Sequence, residues 1–216
     1  MRLFPSILSA DFSCLEDSIA PLAEAGLTDI HLDIMDGHFV PNISYGPPVV
    51  KSVVKRFPDL CFDAHLMMDN PQLLFKTFLD LGVDSISIHA EIEPDIDWFL
   101  RCCRDYEARL GLVFNPDTSI QNHVDKIKKV DYVLLMSVQP GFGGQTFKTE
   151  VLDKVPAVRR HLEGPLQIDG GINLKTIKKA ARAGFDWFVA GSEVFSNEDP
   201  VAAAKNLLAA AGSAKS

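Results

Sequence analysis

The 216-residue sequence predicts an α/β fold, a (β/α)8 TIM barrel. Three observations predict it. Strand-like and helix-like segments alternate along the whole chain, the pattern of a parallel sheet covered by helices. Eight such units fit, at about 27 residues apiece, near the lower size limit of the barrel. Glycine-rich turns follow the sixth, seventh and eighth strands, whereas an open doubly wound sheet usually carries its phosphate loop after the first. The stretch after the first strand, Ser9-Ala10-Asp11-Phe12-Ser13, has no glycine. No linker or low-complexity stretch precedes the small-residue tail at 208–216, so residues 1–216 are expected to form one domain.

In order, the predicted strands are Leu3–Ser9, Ile30–Met35, Cys61–Met67, Ser85–His89, Leu110–Asn115, Tyr132–Val138, Leu166–Asp169 and Trp187–Gly191. Each is short and rich in apolar or β-branched residues, as strands buried on both faces are. Amphipathic segments follow them at 14–25, 48–57, 71–81, 94–107, 119–129, 149–162, 174–183 and 200–210. Ser13 and Glu16 have the spacing of a capping box. Asn70-Pro71 and Asp199-Pro200 set a capping side chain before a proline at the first helical position. Asn173 can cap the seventh helix.

Composition narrows the function. Hydrophobic residues make up 47% and charged residues 23%, ordinary for a globular chain that needs neither disulfides nor a structural metal. The net charge of -8, without a basic block, argues against nucleic-acid binding, which needs clustered Lys and Arg. No apolar run approaches the roughly 20 residues that span a bilayer, and the N-terminus lacks a signal-peptide pattern. Cys14, Cys61, Cys102 and Cys103 show no CxxC spacing, and the adjacent pair suits a helix. Reduced thiols in a cytoplasmic protein are expected.

Polar residues gather at the strand C-terminal ends: Ser9, His31, Asp33, His65, His89, Asn115 and Asp169. In a barrel these ends converge on the face that carries catalysis. Side chains alternate across a strand. In Ile30–Met35 the apolar Ile30, Leu32 and Ile34 face the helices, so His31, Asp33 and Met35 face the interior. By the same parity His65 and Met67 point inward, and Asp169 points opposite to Ile168. Two imidazoles and two carboxylates buried together form an N2O2 set suited to Zn(II), Fe(II), Mn(II) or Co(II). A hydrogen-bonded His–Asp network without metal would satisfy the same spacing.

Gly141-Phe142-Gly143-Gly144, Gly170-Gly171 and Gly191-Ser192 each precede a predicted helix. Brought together, they would make a phosphate site of backbone N–H groups, which lets an acidic protein hold an anion locally. Met35, Met67 and Met136 lie at or near strand tops, as gap-filling core or as an apolar rim that excludes water. A cation, a phosphate pocket and two carboxylates suggest proton abstraction beside a carbonyl, with the metal holding enediolate oxygens.

Residues 6–12 (SILSADF), 31–42 (HLDIMDGHFVPN), 65–67 (HLM), 115–116 (NP), 136–145 (MSVQPGFGGQ), 169–173 (DGGIN) and 190–192 (AGS) closely resemble the ribulose-phosphate 3-epimerase family. The likeness runs from residue 6 to about 195. It implies a TIM barrel of the ribulose-phosphate-binding type. It also implies an isomerase that interconverts D-ribulose 5-phosphate and D-xylulose 5-phosphate at C3, in the pentose phosphate pathway and, where present, the Calvin cycle. Carried over by position, the metal ligands are His31, Asp33, His65 and Asp169, holding one divalent ion per chain. The proton acceptor is Asp33 and the donor Asp169. Substrate contacts are Ser9, His65, Gly141, Phe142, Gly143, Gly144, Asp169, Gly170, Gly171, Gly191 and Ser192. The expected partners are a sugar phosphate and further copies of the chain, with no nucleic acid and no membrane. Gln139 stands where Asn is usual, and Gln167 where an acidic residue is common; neither is a ligand.

Two carboxylates on opposite faces of C3 are what an epimerase needs, since a lone base tends to return the proton to the side it left. The alternatives are a D-allulose-6-phosphate 3-epimerase, a non-catalytic sugar-phosphate-binding barrel, and another phosphate-binding barrel such as a hexulose-phosphate synthase. The intact SADF, GFGGQ and DGGI segments weigh against the first. The complete carboxylate and ligand set weighs against the other two.

Overall fold

The computed structural model describes residues 1–215. Among them, eight parallel strands form one sheet: β1 (Arg2–Pro5), β2 (Asp29–Met35), β3 (Cys61–Met67), β4 (Ser85–His89), β5 (Arg109–Phe114), β6 (Tyr132–Met136), β7 (Leu166–Asp169) and β8 (Trp187–Ala190). Sequential strands pair from β2 round to β8, and β8 pairs β1. A parallel bridge between Ser6 and His31 closes the ring between β1 and β2. Around it run α1 (Leu15–Glu24), α2 (Pro47–Arg56), α3 (Gln72–Asp80), α4 (Ile96–Arg104), α5 (Val124–Ile127), α6 (Val155–Arg159), α7 (Thr176–Ala183), α8 (Ser192–Phe195) and α9 (Pro200–Lys215). The (β/α)8 prediction holds throughout the described residues.

Strand parity builds two cores. Outward residues such as Ile30, Leu32, Ile34, Ala64 and Leu66 are fully buried with Ile19, Leu22, Val50 and Phe75 of the helices. Inside, one end of the barrel is plugged by Phe4, Tyr132, Trp187 and Val189. The plug needs Gly111: a Cβ there would lie 2.4 Å from Tyr132 Cζ. Nearer the strand C-terminal ends, Val113, Leu134, Met136 and Val138 line one side, and Met35, Val40 and Met67 another.

The predicted strands Cys61–Met67, Ser85–His89 and Leu166–Asp169 match residue for residue. The first strand is shorter than predicted, because Ser6 turns the chain: its Oγ accepts the Leu8 N–H and a 3-10 turn covers Ile7–Ser9. The sixth strand stops at Met136, two residues early. The segments 119–129 and 149–162 are each split between a 3-10 turn and a short α-helix. The proline at 156 lies at the start of α6, where a missing N–H costs nothing.

Caps divide likewise. Asp199 Oδ1 accepts the Ala202 N–H at 2.9 Å, and Asn173 Oδ1 accepts those of Lys175 and Thr176. The Ser13–Glu16 box does not form. Asp11 caps the preceding 3-10 turn through the Ser13 N–H, and Glu16 pairs with Arg56 instead. Nor does the Asn70 side chain cap α3, which starts directly after Pro71. Cys102 and Cys103 are buried on α4, as their adjacency suggested. Among the described residues, no helix is long and apolar enough to cross a membrane.

Candidate active site

The strand ends assemble a buried centre. His31 and Asp33 come from β2, His65 from β3 and Asp169 from the end of β7. One nitrogen or carboxylate oxygen from each of these four residues lies within 4.8 Å of the others. Asp33 Oδ1 is 3.5 Å from His31 Nε2 and 3.4 Å from His65 Nδ1, and Asp169 Oδ2 is 3.8 Å from His65 Nδ1. Both imidazoles are completely buried, yet His31 Nε2 and His65 Nδ1 have no hydrogen-bond partner. Buried nitrogens are rarely left unpaired without a reason. Two of them converging with two carboxylates fit a divalent cation, with imidazole and carboxylate as its ordinary donors.

The remaining atoms of these groups are held. His31 Nδ1 is 2.8 Å from Asp63 Oδ2. Asp63 is saturated: it also accepts from Ser85 Oγ (2.6 Å), Tyr132 Oη (2.7 Å) and Gln167 Nε2 (2.8 Å). Asp33 Oδ2 accepts from Ser6 Oγ at 2.5 Å, and its backbone N–H and C=O bond to Tyr45 Oη and Ser44 Oγ. His65 Nε2 is 2.8 Å from His89 Nε2.

The two carboxylates are driven apart in acidity. Burial alone would raise Asp33, but His31 and then His65 outweigh it and hold Asp33 well below the usual carboxylate range. Asp169 is pushed up to about 6, by burial first and then by the charge of Asp33. Asp33 is thus the more acidic of the two and Asp169 the more readily protonated, a separation of the kind acid–base pairs use. His31 is raised well above its ordinary value: burial opposes this, but Asp33 and Asp63 outweigh it.

Above the centre lies a pocket that opens to solvent. Its walls include Ser9, Met35, Met67, Met136, Gly141 to Gly144, Asp169 to Gly171, Gly191 and Ser192, beside Asp33. The structure thus brings every sequence-predicted site residue to one place, with His31 and His65 beneath its floor. Ser9 joins the glycine turns: a Cβ on Gly191 would lie 2.5 Å from Ser9 Oγ, and one on Gly143 3.6 Å away. Gly171 is pressed against the Phe147 backbone, where a Cβ would lie 2.8 Å from its nitrogen. Asn42 Nδ2 donates to Gly141 O at 2.6 Å, tying the loop after β2 to the one after β6. Only Gly191 abuts a helix; four residues separate Gly144 from the next 3-10 turn, and another four separate Gly171 from α7. Each turn precedes helical structure, as the sequence reading expects.

Sequence reasoning missed Ser6, Asp63 and the role of Gln167. Asp63 shares its inward parity with His65, and Gln167 with Asp169, so alternation alone would have flagged both. His89 was singled out at a strand end, but its contact with His65 was not foreseen. Asn115 does not reach the cavity; its N–H donates to Glu91.

Fold and site together define a TIM barrel with a buried His2Asp2 centre under a glycine-walled pocket. The particular family follows from similarity over the whole length: the chain belongs to the ribulose-phosphate 3-epimerase family, whose model matches residues 2–195. It is 43% identical over 215 residues to the ribulose-phosphate 3-epimerase of Mycobacterium tuberculosis, covering 97% of this chain and 93% of that one. It is 40% identical over 200 residues to that of Escherichia coli strain K12, covering 90% and 89%. Among solved structures, 3-hexulose-6-phosphate synthase from Salmonella typhimurium superposes with a TM-score of 0.77 at 15% identity, covering 99% of this chain and all of that one. KGPDC from Streptococcus mutans in complex with D-R5P gives 0.75 at 15%, covering 99% and 98%. At such identities these two establish the barrel and nothing of the chemistry. The chain is accordingly an isomerase of the epimerase class.

Proposed function

We propose that this protein interconverts D-ribulose 5-phosphate and D-xylulose 5-phosphate by moving the C3 proton from one face of the sugar to the other. The observation that carries the reading is the pair of partnerless imidazole nitrogens meeting Asp33 and Asp169 under the pocket, in a chain of this family. His31, Asp33, His65 and Asp169 are assigned as ligands of one divalent ion: zinc, iron(II), manganese or cobalt. Bound there, such an ion supplies Lewis-acid polarisation of the substrate carbonyl, which acidifies the neighbouring C–H.

The protein's own residues do the rest. Asp33 takes the C3 proton on one face, and Asp169 delivers a proton on the other through an enediolate; reversal exchanges the roles. Ser6 holds the Asp33 carboxylate through Oδ2, leaving Oδ1 toward the two imidazoles. Met35, Met67 and Met136 shield the reacting carbons from water. The glycine turns and Ser9 with Ser192 take the phosphate through backbone N–H and hydroxyl donors, an arrangement compatible with a net charge of -8. We assign residues 1–216 to one barrel domain of a cytoplasmic homo-oligomer acting in the pentose phosphate pathway. The five-carbon substrate is preferred over allulose 6-phosphate because the segments that resemble the family are intact.

The test is a coupled assay on ribulose 5-phosphate and allulose 6-phosphate, before and after exhaustive chelation. Turnover of the pentose that chelation abolishes and added cation restores is expected. Full activity without metal, or a preference for the six-carbon sugar, would overturn the assignment.

A further inference from the structure

A chain of polar contacts leads away from the centre and ends outside the residues assigned above. His65 Nε2 meets His89 Nε2 at 2.8 Å, and His89 Nδ1 meets Glu91 Oε2 at 3.0 Å. The other oxygen of Glu91 accepts the Asn115 N–H at 2.8 Å and the Thr118 hydroxyl at 2.5 Å. Lys154 Nζ locks the far side, donating to the carbonyls of Asn115 and Thr118 at 2.9 and 2.7 Å. His89 is fully buried, with the Phe39 ring 4.3 Å away and the His65 ring 5.0 Å away.

We propose that Glu91, acting through His89, sets which nitrogen of His65 carries hydrogen and so keeps His65 Nδ1 bare as a ligand atom. On the cation-binding reading above, the hydrogens can be counted inward from Glu91. An ionised carboxylate only accepts, so His89 Nδ1 donates to Glu91. A neutral His89 then has no hydrogen on Nε2, which accepts from His65. His65 therefore carries its hydrogen on Nε2, and its Nδ1 presents a lone pair to Asp33 and Asp169. The geometry agrees: a hydrogen on Nδ1 would have two carboxylates to bond, yet Nδ1 stands 3.4 and 3.8 Å from them without a hydrogen bond. His31 is held the opposite way round, with Asp63 on Nδ1 and Nε2 without a hydrogen-bond partner. Glu91 and His89 are thus positioning residues, outer partners of the kind that orient metal-ligating histidines.

Glu91→Gln is a sharp probe. The Asn115 and Thr118 donors both address Oε1, so the amide oxygen settles there and the amide NH2 faces His89 Nδ1. His89 must then accept at Nδ1 and donate from Nε2, which moves the His65 hydrogen to Nδ1. There Asp33 and Asp169 accept it, so the metal-free fold tolerates the change.

The experiment uses two-bond ¹H–¹⁵N spectra of the full chain, metal-free, with ¹⁵N-labelled histidine, and cobalt(II) titration against a competing chelator. Wild-type protein should show His65 protonated at Nε2. Glu91→Gln should show it at Nδ1 and, while still folded, bind cobalt about 10–100-fold more weakly. A wild-type His65 protonated at Nδ1, or a folded variant that binds cobalt as tightly as wild type, overturns the proposal. The wild-type tautomer decides the matter by itself should the variant not fold. Wild-type protein that binds no cobalt would refute the cation reading separately, because the tautomer is read without metal.

Discussion

Asp63 and the Asp33–Asp169 pair lie in the same barrel interior, in contact with the same His31 ring, and their surroundings differ sharply. Asp63 is wholly buried and receives four donors from four different strands. One level up, Asp33 and Asp169 face two imidazole nitrogens that nothing satisfies. A carboxylate saturated by donors is structural: its charge is dispersed and its geometry fixed. Carboxylates converging with partnerless imidazole nitrogens form a donor set that could hold a cation. The contrast teaches that hydrogen-bond satisfaction, rather than burial or residue type, separates the supporting layer from the working layer of this barrel.

The comparison is broken most decisively at the working layer. Asp33→Asn and Asp169→Asn should each lower turnover by about 10²–10⁴-fold, the usual worth of a placed acid or base, with the barrel still folded. Metal content must be measured alongside, and exchange of the C3 hydrogen with deuterated water shows which face retains its base. Near-normal epimerisation by metal-loaded Asp169→Asn would eliminate the two-carboxylate scheme.

At the supporting layer the loss should be of stability. Asp63→Ala strands four buried donors, including the His31 ring, and is expected to cost about 3–5 kcal/mol in urea unfolding. A change below about 1 kcal/mol would erase the distinction drawn between the layers.

Two carboxylates, Asp169 of the centre and Glu91 beside it, should respond oppositely to pH. Asp169 is raised from 3.8 to about 6 on folding, so its ionised form disfavours the folded state. That penalty is complete above about pH 6 and vanishes below about 4. Metal-free protein should therefore gain stability from this group as pH falls from 8 toward 4, and Asp169→Asn should remove the gain. Glu91 runs the other way. Although burial opposes it, His89 first among its partners lowers it to about 2. Its contribution is complete above the ordinary glutamate value of 4.5 and fades as pH falls toward 2. Denaturant midpoints of chelated wild type and Asp169→Asn across this range measure both.

Pocket walls should yield binding effects alone. Gly191→Ala drives a Cβ into Ser9 Oγ and should raise the KM for the phosphosugar by roughly tenfold, about one hydrogen bond to a charged group, with cation content unchanged. At Gly144 a Cβ has no neighbour within 4 Å, so the protein-side penalty of Gly144→Val comes from a backbone φ of +73°. The smallest expected change is Tyr132→Phe, which removes one of four donors to Asp63 and should cost about 1 kcal/mol in stability while leaving KM in place.

Much of this was legible in the chain. Period-two alternation in Ile30–Met35 was enough to turn His31, Asp33 and Met35 inward, because the faces of a strand are fixed by backbone geometry. Strict βα alternation was enough to name the barrel, because parallel neighbours need covered crossovers. The glycine turns announced a pocket, although the Ser13–Glu16 box shows how local spacing misleads when a neighbouring Asp11 takes the donor first. What alternation cannot say is how far along the barrel axis a residue lies. That depends on the stagger between strands: His31 stands beside Asp63 and Asp33 beside His65 only because β2 and β3 pair in that register, and Gln167 reaches Asp63 from 104 residues away. The sequence by itself determined which side chains face inward and which chemistry they hold. The tertiary structure alone decided which of their polar atoms are paired and which are left bare, because a hydrogen bond is made or lost over a few tenths of an ångström, a distance set by the closed ring and by no single strand.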